Sequence, residues 1–181
     1  MMPDDAVTPD VKDWTWVLSR PCPECGYDGA LVHPTDVGAR VRDDAADWVS
    51  RLATPGVTVR PAPGIWSVLE YGCHVRDVHR IFNRRVELML SEDDPTFPNW
   101  NQDETALADD YRAQHPRTVA DELVAAAHTV ADTYASVPAD SWPRRGLRSN
   151  GSEFTITTIA RYHLHDIVHH AWDVTRQGAL P

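Results

Sequence analysis

The sequence is short of cysteine and of long apolar runs, and each shortage excludes a class of protein. Three cysteines in 181 residues are too few, and odd in number, for a small secreted domain built on disulfides. No stretch approaches the roughly 20 consecutive apolar residues that span a bilayer, so no membrane partner is expected. The N-terminus is acidic and lacks the apolar segment of a secretory signal, which favours a cytoplasmic protein.

Positive charge is also scarce. The chain has 17 lysines and arginines against 27 aspartates and glutamates, and its formal net charge is −10. Because phosphate binding needs clustered basic side chains, this balance argues against a nucleic-acid partner. Lys12 is the single lysine, and the preference for arginine, together with abundant alanine, aspartate and valine, indicates a GC-rich genome.

Four segments repeat apolar residues at the spacing of amphipathic helices. The second has the clearest start, because Ser67 and Glu70 fit the capping box, in which each side chain binds the backbone N–H of the other residue. The predicted helices cover residues 35–52, 67–90, 118–137 and 157–176.

The segments between these helices complete the predicted fold. Residues 91–115 are long and acidic, which predicts a crossover with a short helix of its own around residues 104–111. Asn150-Gly151 lies between two short runs that favour strands and predicts a hairpin. We therefore expect an all-α protein, a four-helix bundle with a long crossover between helices 2 and 3 and a small β-hairpin before the last helix. Residues 1–33 lack helical periodicity and are predicted to be an irregular extension of a bundle domain over residues 34–181.

Histidine is abundant, with nine copies, and four of them lie within residues 161–170. His165 and His169 are four positions apart on the last predicted helix, so they share a face and can bind one ion. The rotation of about 100° per helical residue turns His163 and His170 away from that face.

His74 is the third candidate ligand. It shares a face of the second helix with Val78 and is predicted to point into the bundle, whereas His79 is expected at the surface. Together with His165 and His169 it would form a three-nitrogen site with open positions, as a catalytic metal requires. Zinc is the foremost candidate for this divalent cation, with nickel or iron as alternatives. Without a metal, His74 would be a satisfied core histidine and the pair a coincidence of the surface.

Cys22 and Cys25, in the run Cys-Pro-Glu-Cys, have the spacing of one half of a zinc knuckle. Cys73 is far away in sequence and is interpreted as a small buried side chain, so histidines would have to supply the other half. His33 is the nearest in sequence. The alternatives are two reduced thiols in a tight turn or a redox pair.

Two motifs resemble those of DinB-like proteins. The run Trp66-Ser67-Val-Leu-Glu70-Tyr-Gly-Cys-His74-Val-Arg-Asp77 is similar to the opening of their second helix, and His165-Asp-Ile-Val-His169 resembles their H-x-x-x-H. The resemblance covers about residues 35–176. It implies a four-helix bundle in which three histidines hold one metal ion, and by position these are His74, His165 and His169.

The superfamily that the chain resembles includes mycothiol-dependent maleylpyruvate isomerases, other thiol S-transferases and metal-dependent hydrolases. The resemblance therefore implies a small-molecule substrate and a metal that activates a thiol or water for transfer, isomerisation or hydrolysis. The Cys-x-x-Cys extension is similar to that of an actinobacterial branch, where mycothiol would be the thiol cofactor. Arg161 and Tyr162, one turn before the ligands, would fix or polarise an anionic substrate.

Two readings without catalysis stay open beside the enzyme. One is a metal-binding or stress-related protein without turnover, and the other is a structural bundle whose histidines bind nothing. A homodimer is common in related bundles, but the apolar pattern does not demand one.

Overall fold

The computed structural model describes Val7 and residues 12–178, without the side chains of residues 177 and 178. Five α-helices follow one another along the chain: α1 Val37–Leu52, α2 Val68–Ser91, α3 Gln102–Ala108, α4 Pro116–Ser136 and α5 Ile156–Gly178. All but α3 are long and pack into a bundle, while α3 lies in the crossover between α2 and α4. The predicted fold class is confirmed. Within the described chain, no helix combines the length and hydropathy that a bilayer crossing needs.

Three short strands form a sheet at one end of the bundle: β1 Thr96–Phe97, β2 Arg145–Arg148 and β3 Glu153–Thr155. β2 and β3 are antiparallel and enclose the turn at Asn150-Gly151, where Gly151 has a φ of 95°, in the left-handed region that favours glycine. This is the predicted hairpin. β1 comes from the crossover and pairs parallel with β2, with Thr96 opposite Leu147. The sequence pattern did not predict this strand, which fastens the crossover to the hairpin.

Helix α2 begins at the predicted capping box. The Ser67 hydroxyl accepts the Glu70 N–H at 3.3 Å, and the Glu70 carboxylate accepts the Ser67 N–H at 2.8 Å. Arg60 forms an ion pair with the same carboxylate. These contacts fix the first turn of α2 and, one turn later, the position of His74.

Packing between the helices produces one apolar core. α4 packs against α1 and α2, and α5 packs against α2 and α1. At the closest approach of α1 to α4, a Cβ added to Gly38 would lie 2.9 Å from the Ala131 carbonyl oxygen. The fully buried apolar side chains include Trp48, Leu69, Met89, Leu123, Ile159 and Ile167.

Two histidines belong to this core. His79 of α2 and His163 of α5 are fully buried, and 3.0 Å separates His79 Nδ1 from His163 Nε2. The Tyr134 hydroxyl lies 3.0 Å from His163 Nδ1. Burial lowers the pKa of both imidazoles, to about 3 for His163. The surface position predicted for His79 is wrong, because α2 lies between α4 and α5 and is covered on both sides.

The segment before α1 lies on α5. Its described part contains three short 3-10 helices, Trp14–Leu18, Gly29–Leu31 and Pro34–Asp36. Arg161 of α5 donates to the Val32 carbonyl oxygen from Nε at 3.1 Å and from Nη2 at 3.0 Å, and the Tyr27 hydroxyl donates to the Arg161 carbonyl oxygen at 2.9 Å. The irregular extension is therefore bound to the last helix. The domain boundary at residues 33 and 34 stays a prediction, and part of the extension lies outside the described residues.

Candidate metal centre

Helix α5 carries two pairs of potential ligands. The members of each pair are four residues apart, and the second pair is shifted by one residue from the first. The inner group consists of His74, Asp166 and His170, and the outer group consists of Cys22, Cys25, His165 and His169. In each group the candidate ligand atoms lie within 4.8 Å of one another. The two pairs face different neighbours because consecutive residues of a helix are rotated by about 100°.

The inner group lies between α2 and α5. Asp166 Oδ1 is 3.4 Å from His74 Nε2 and 3.4 Å from His170 Nε2, and the two histidine ring centroids are 4.6 Å apart. Both ring nitrogens of His74 and Asp166 Oδ1 are buried, and none has a partner in hydrogen-bond geometry. Buried polar atoms normally have one. Two imidazoles and a carboxylate that converge in this way fit a divalent cation.

The charges of the inner group suit this role. Burial alone would raise the pKa of Asp166, but the adjacent His74, followed by His170, holds that pKa well below its usual range. Burial, reinforced by His170, lowers the pKa of His74. Near pH 7 the group therefore offers an ionised carboxylate and a neutral His74 imidazole, the protonation states that bind metals.

A cavity of about 750 Å³ is lined by Asp166 and His170 of the inner group and also by His165 and His169. Its volume lies within the usual range for pockets that bind small molecules. Trp100 of the crossover stacks on His74, with ring centroids 5.2 Å apart and planes inclined by 9°. The cavity wall includes Trp66, Tyr71, Trp100, Tyr162, Asp166 and His170.

Two buried arginines, Arg85 of α2 and Arg148 of β2, also line the cavity. Arg85 donates to the Pro98 carbonyl oxygen at 3.3 Å, and Arg148 donates to the Asn150 side-chain oxygen and the Ser152 hydroxyl, both at 2.9 Å. These acceptors are all neutral. Burial, together with the charge of Arg148, lowers the pKa of Arg85 to about 10, so the Arg85 guanidinium group still carries charge at pH 7. The cavity wall therefore offers two guanidinium groups to an anionic ligand, beside the carboxyl groups of Asp13, Asp103, Asp166 and Asp173.

The outer group joins the N-terminal segment to α5. Cys22 Sγ is 3.7 Å from His169 Nδ1. The Trp14 ring covers both histidines, with centroids 4.8 Å from His169 and 5.5 Å from His165. Burial lowers the pKa of His165 to about 4 and raises that of Cys25 to about 11.

The structure divides the predicted metal ligands between the two groups. His165 and His169 lie together, but His74 lies with Asp166 and His170, and the three predicted histidines are not all within 4.8 Å of one another. His170 does turn away from the face of His165 and His169, but the rotation of α5 about its axis directs it, together with Asp166, towards α2 and His74. The three-histidine site itself stays a prediction.

The two predicted catalytic residues have different surroundings. Arg161 bonds to the Val32 carbonyl and is not among the described residues that line the cavity. Tyr162 does line it, next to Phe82 and Arg148. Burial raises the pKa of the Tyr162 hydroxyl, which keeps it protonated at neutral pH. A catalytic role for either residue stays a prediction.

Sequence reasoning did not single out Asp166 and His170 as candidate ligands. A signal was present, because Asp166-x-x-x-His170 has the same spacing as the histidine pair one residue earlier. It also missed the partners of the Cys-x-x-Cys run. Cys22 and His169 are 147 positions apart, and no local pattern can pair residues at that separation.

Comparisons with known proteins agree on the fold. The family model described as the DinB superfamily matches residues 39–174. The chain is also similar to the solved structure of YfiT from Bacillus subtilis, described as a probable metal-dependent hydrolase with an unusual four-helix bundle topology. The TM-score is 0.61 at 15% sequence identity, and the match covers 97% of this chain and 95% of that one. A search of curated proteins gives no match.

Proposed function

The chain belongs to the DinB superfamily, and from that premise we propose that it is an enzyme whose divalent cation is bound by the inner group. The observation that carries the proposal is the convergence of His74, Asp166 and His170 beside a cavity, with buried atoms of His74 and Asp166 that lack hydrogen-bond partners. The description of YfiT as a probable metal-dependent hydrolase supports the same class of chemistry.

A divalent cation bound there would supply a Lewis acid that lowers the pKa of a water or thiol nucleophile. The residues around the ligands orient them. Asp173 Oδ2 lies 3.2 Å from His170 Nδ1 and holds that ring so that Nε2 faces Asp166. Trp100, stacked on His74, restrains the other imidazole. Three protein ligands leave coordination positions for a nucleophile and a substrate.

The arginines of the cavity indicate a substrate with an anionic group. Arg85 and Arg148 are buried and, within the described residues, form their hydrogen bonds with neutral acceptors, so a carboxylate or phosphate that enters the cavity would meet two guanidinium groups that form no direct ion pair. A charge-assisted bond from a guanidinium to such a group is about twice as strong as a neutral one. The anionic substrate that the sequence suggested for Arg161 would thus meet these two residues instead.

We infer two reactions that this arrangement can support. Hydrolysis, with water as the nucleophile, is the first, and it agrees with the description of YfiT. Transfer or isomerisation with a small thiol such as mycothiol is the second, and it is favoured by a cavity of about 750 Å³ that has room for a cofactor beside a substrate.

Metal analysis tests the ligand set. The measurement uses a chain with Cys22→Ser and Cys25→Ser, so that bound metal reports on the inner group and not on the outer group. In this chain we expect His74→Ala or His170→Ala to weaken cation binding at least 100-fold. His165→Ala should leave binding intact, as should the control His128→Ala on the exposed side of α4. Loss of binding on His165→Ala but not on His170→Ala would instead support the three-histidine site.

An activity screen tests the reaction. Small esters and amides with a carboxylate or phosphate, offered with and without mycothiol, should be turned over by the metal-loaded protein and not by His170→Ala. Turnover without a thiol supports hydrolysis, and strict dependence on mycothiol supports transfer. A cation that binds at the inner group without turnover of any probe supports the non-catalytic alternative.

A further inference from the structure

The outer group is a cluster of four potential ligands that the proposed reaction does not use. Its sequence pattern, Cys-x2-Cys followed by His-x3-His, has the ligand spacing of structural zinc sites. Cys22 Sγ lies 3.7 Å from His169 Nδ1. Zn–S bonds of about 2.3 Å and Zn–N bonds of about 2.0 Å at tetrahedral angles separate sulfur and nitrogen by about 3.5 Å. The observed separation is therefore close to an edge of a zinc tetrahedron.

The turn around the cysteines has a backbone that presents both thiols on one side. The Gly26 N–H donates to the Cys22 carbonyl at 2.9 Å, and the Cys22 N–H donates to the Tyr27 carbonyl at 2.8 Å. Gly26 has a φ of 75°, which a residue with a Cβ rarely adopts. Pro21 and Pro23, which lack an N–H, flank Cys22 and stiffen the turn. The tight turn thus holds a two-thiol half-site in a fixed form.

Burial at the outer group leaves a polar atom unexplained. Cys22, His165 and His169 are 1%, 3% and 7% exposed. His165 Nε2 is buried and has no hydrogen-bond partner. A buried ring nitrogen without a partner is rare in folded proteins. A cation bound by the lone pair of His165 Nε2 would explain why this buried atom has no hydrogen-bond partner.

Two carboxylates lie near the second imidazole. His169 Nε2 lies 3.9 Å from Glu24 Oε2 and 3.9 Å from Asp173 Oδ2, on the side of the ring opposite the Nδ1 that faces Cys22. Histidines that bind zinc usually present their other nitrogen to a carboxylate, which fixes the ring and its tautomer. Glu24 lies between the two cysteines in sequence, so the same turn supplies thiols and this carboxylate.

We propose that Cys22, Cys25, His165 and His169 bind a structural zinc ion that clamps the N-terminal segment onto α5. Two thiolates and two imidazoles in a tetrahedral arrangement select zinc and leave no open position, which distinguishes this site from the inner group. The clamp has a consequence for the cavity. Asp13 and Trp14, which precede the cysteines, form part of the cavity wall, so the zinc ion fixes that wall in place.

Cobalt titration of the full reduced chain tests this site, because cobalt replaces zinc and is coloured. We expect a thiolate-to-cobalt charge-transfer absorption and intense tetrahedral visible bands, both abolished by zinc sufficient to fill both groups. Cys22→Ser or Cys25→Ser should remove the charge-transfer absorption and one equivalent of bound metal. Cys73→Ser, which alters a buried thiol of α2 outside the group, should leave both unchanged.

The wild-type titration decides the matter even if a cysteine variant fails to fold. A spectrum without a thiolate band overturns the proposal, as does a Cys22–Cys25 disulfide in protein purified without added oxidant, which would identify a redox pair. A thiolate-to-cobalt band that persists in the chain with both Cys22→Ser and Cys25→Ser also overturns the proposal. His170→Ala, which disables only the inner group, should keep the thiolate band. The test of the structural zinc site is therefore independent of whether the proposed enzyme function is correct.

Discussion

Neighbouring side chains of α5 contact different partners. His165 and His169 meet thiols of the N-terminal segment, whereas Asp166 and His170, each one position later, meet His74. A rotation of α5 by about 100° would exchange these partners. The side chains packed around the helix, among them the fully buried Ile159 and Ile167, therefore decide which ligands reach which group.

A single methyl group tests the contact between α1 and α4. Gly38→Ala would place a Cβ 2.9 Å from the Ala131 carbonyl oxygen, which belongs to the backbone and cannot turn aside. Overpacking of this kind costs about 1–3 kcal/mol, against a gain of up to about 1 kcal/mol in helix propensity. We expect net destabilisation, measured by urea unfolding at a fixed metal concentration. A more stable variant would show that the helices can separate without cost.

A half-buried carboxyl of α1, Asp44, predicts a pH dependence. Burial raises the pKa of Asp44 to about 7, from about 3.8 in an unfolded chain. Between these values the folded state holds a proton that the unfolded state has lost, so stability falls as pH rises, by up to about 1.4 kcal/mol per pH unit. Above about pH 7 the loss is complete and levels off.

Asp44→Asn removes this titration. We expect the variant to be more stable than the wild type by on the order of 2 kcal/mol at pH 8 and nearly equal to it at pH 4. Asp43→Asn, on the exposed side of the same helix, is the matched control. Thermal unfolding at both pH values measures the difference, and an equal effect of Asp44→Asn at both would argue against a protonated Asp44.

At the scale of elements, the start of α2 fixes the position of His74. Ser67→Ala removes the hydroxyl that accepts the Glu70 N–H and should cost about 0.5–2 kcal/mol of stability. Ser91→Ala, at the other end of α2, removes a hydroxyl that only donates to the Leu88 carbonyl and should change little. Denaturant unfolding measures the free energy of unfolding of both variants. Equal losses for Ser67→Ala and Ser91→Ala would mean that the capping box does not stabilise the helix.

The elements could be predicted because their signals are local. The capping box at Ser67, the Asn150-Gly151 turn and the apolar spacing of the long helices each lie within a few residues, and all were found where expected. The motif around His74 also identified the DinB superfamily, which the family match confirms.

The arrangement of the site could not be predicted in the same way. Two overlapping pairs on α5, His165 with His169 and Asp166 with His170, satisfy the same spacing, and only the rotation of the packed helix distinguishes them. The parallel pairing of β1 with β2 and the approach of Cys22 to His169 join residues about 50 and 147 positions apart. Such contacts result from the whole chain.

For the whole molecule, the clamp predicts which part loosens when zinc leaves. A thiol-competent chelator should speed hydrogen exchange in residues 14–36 while the amides of α4 stay protected, because α4 packs mainly against α1 and α2. His170→Ala, which retains the outer group, should keep residues 14–36 protected until the chelator is added. Unchanged exchange in that segment after zinc removal would show that its other contacts, among them those of Arg161 and Tyr27 and its packing on α5, hold it in place.

Because both groups draw ligands from α5, the two cations should bind cooperatively. A zinc ion with two thiolates has no net charge, so it repels a second cation little, while its bonds fix the rotation of the helix that presents Asp166 and His170. Filling the outer group should therefore raise the affinity of the inner group, and thermodynamic reciprocity requires an equal factor in the other direction. Calorimetric titrations that load the two sites in opposite order would measure that factor, which is expected to be about fivefold or more.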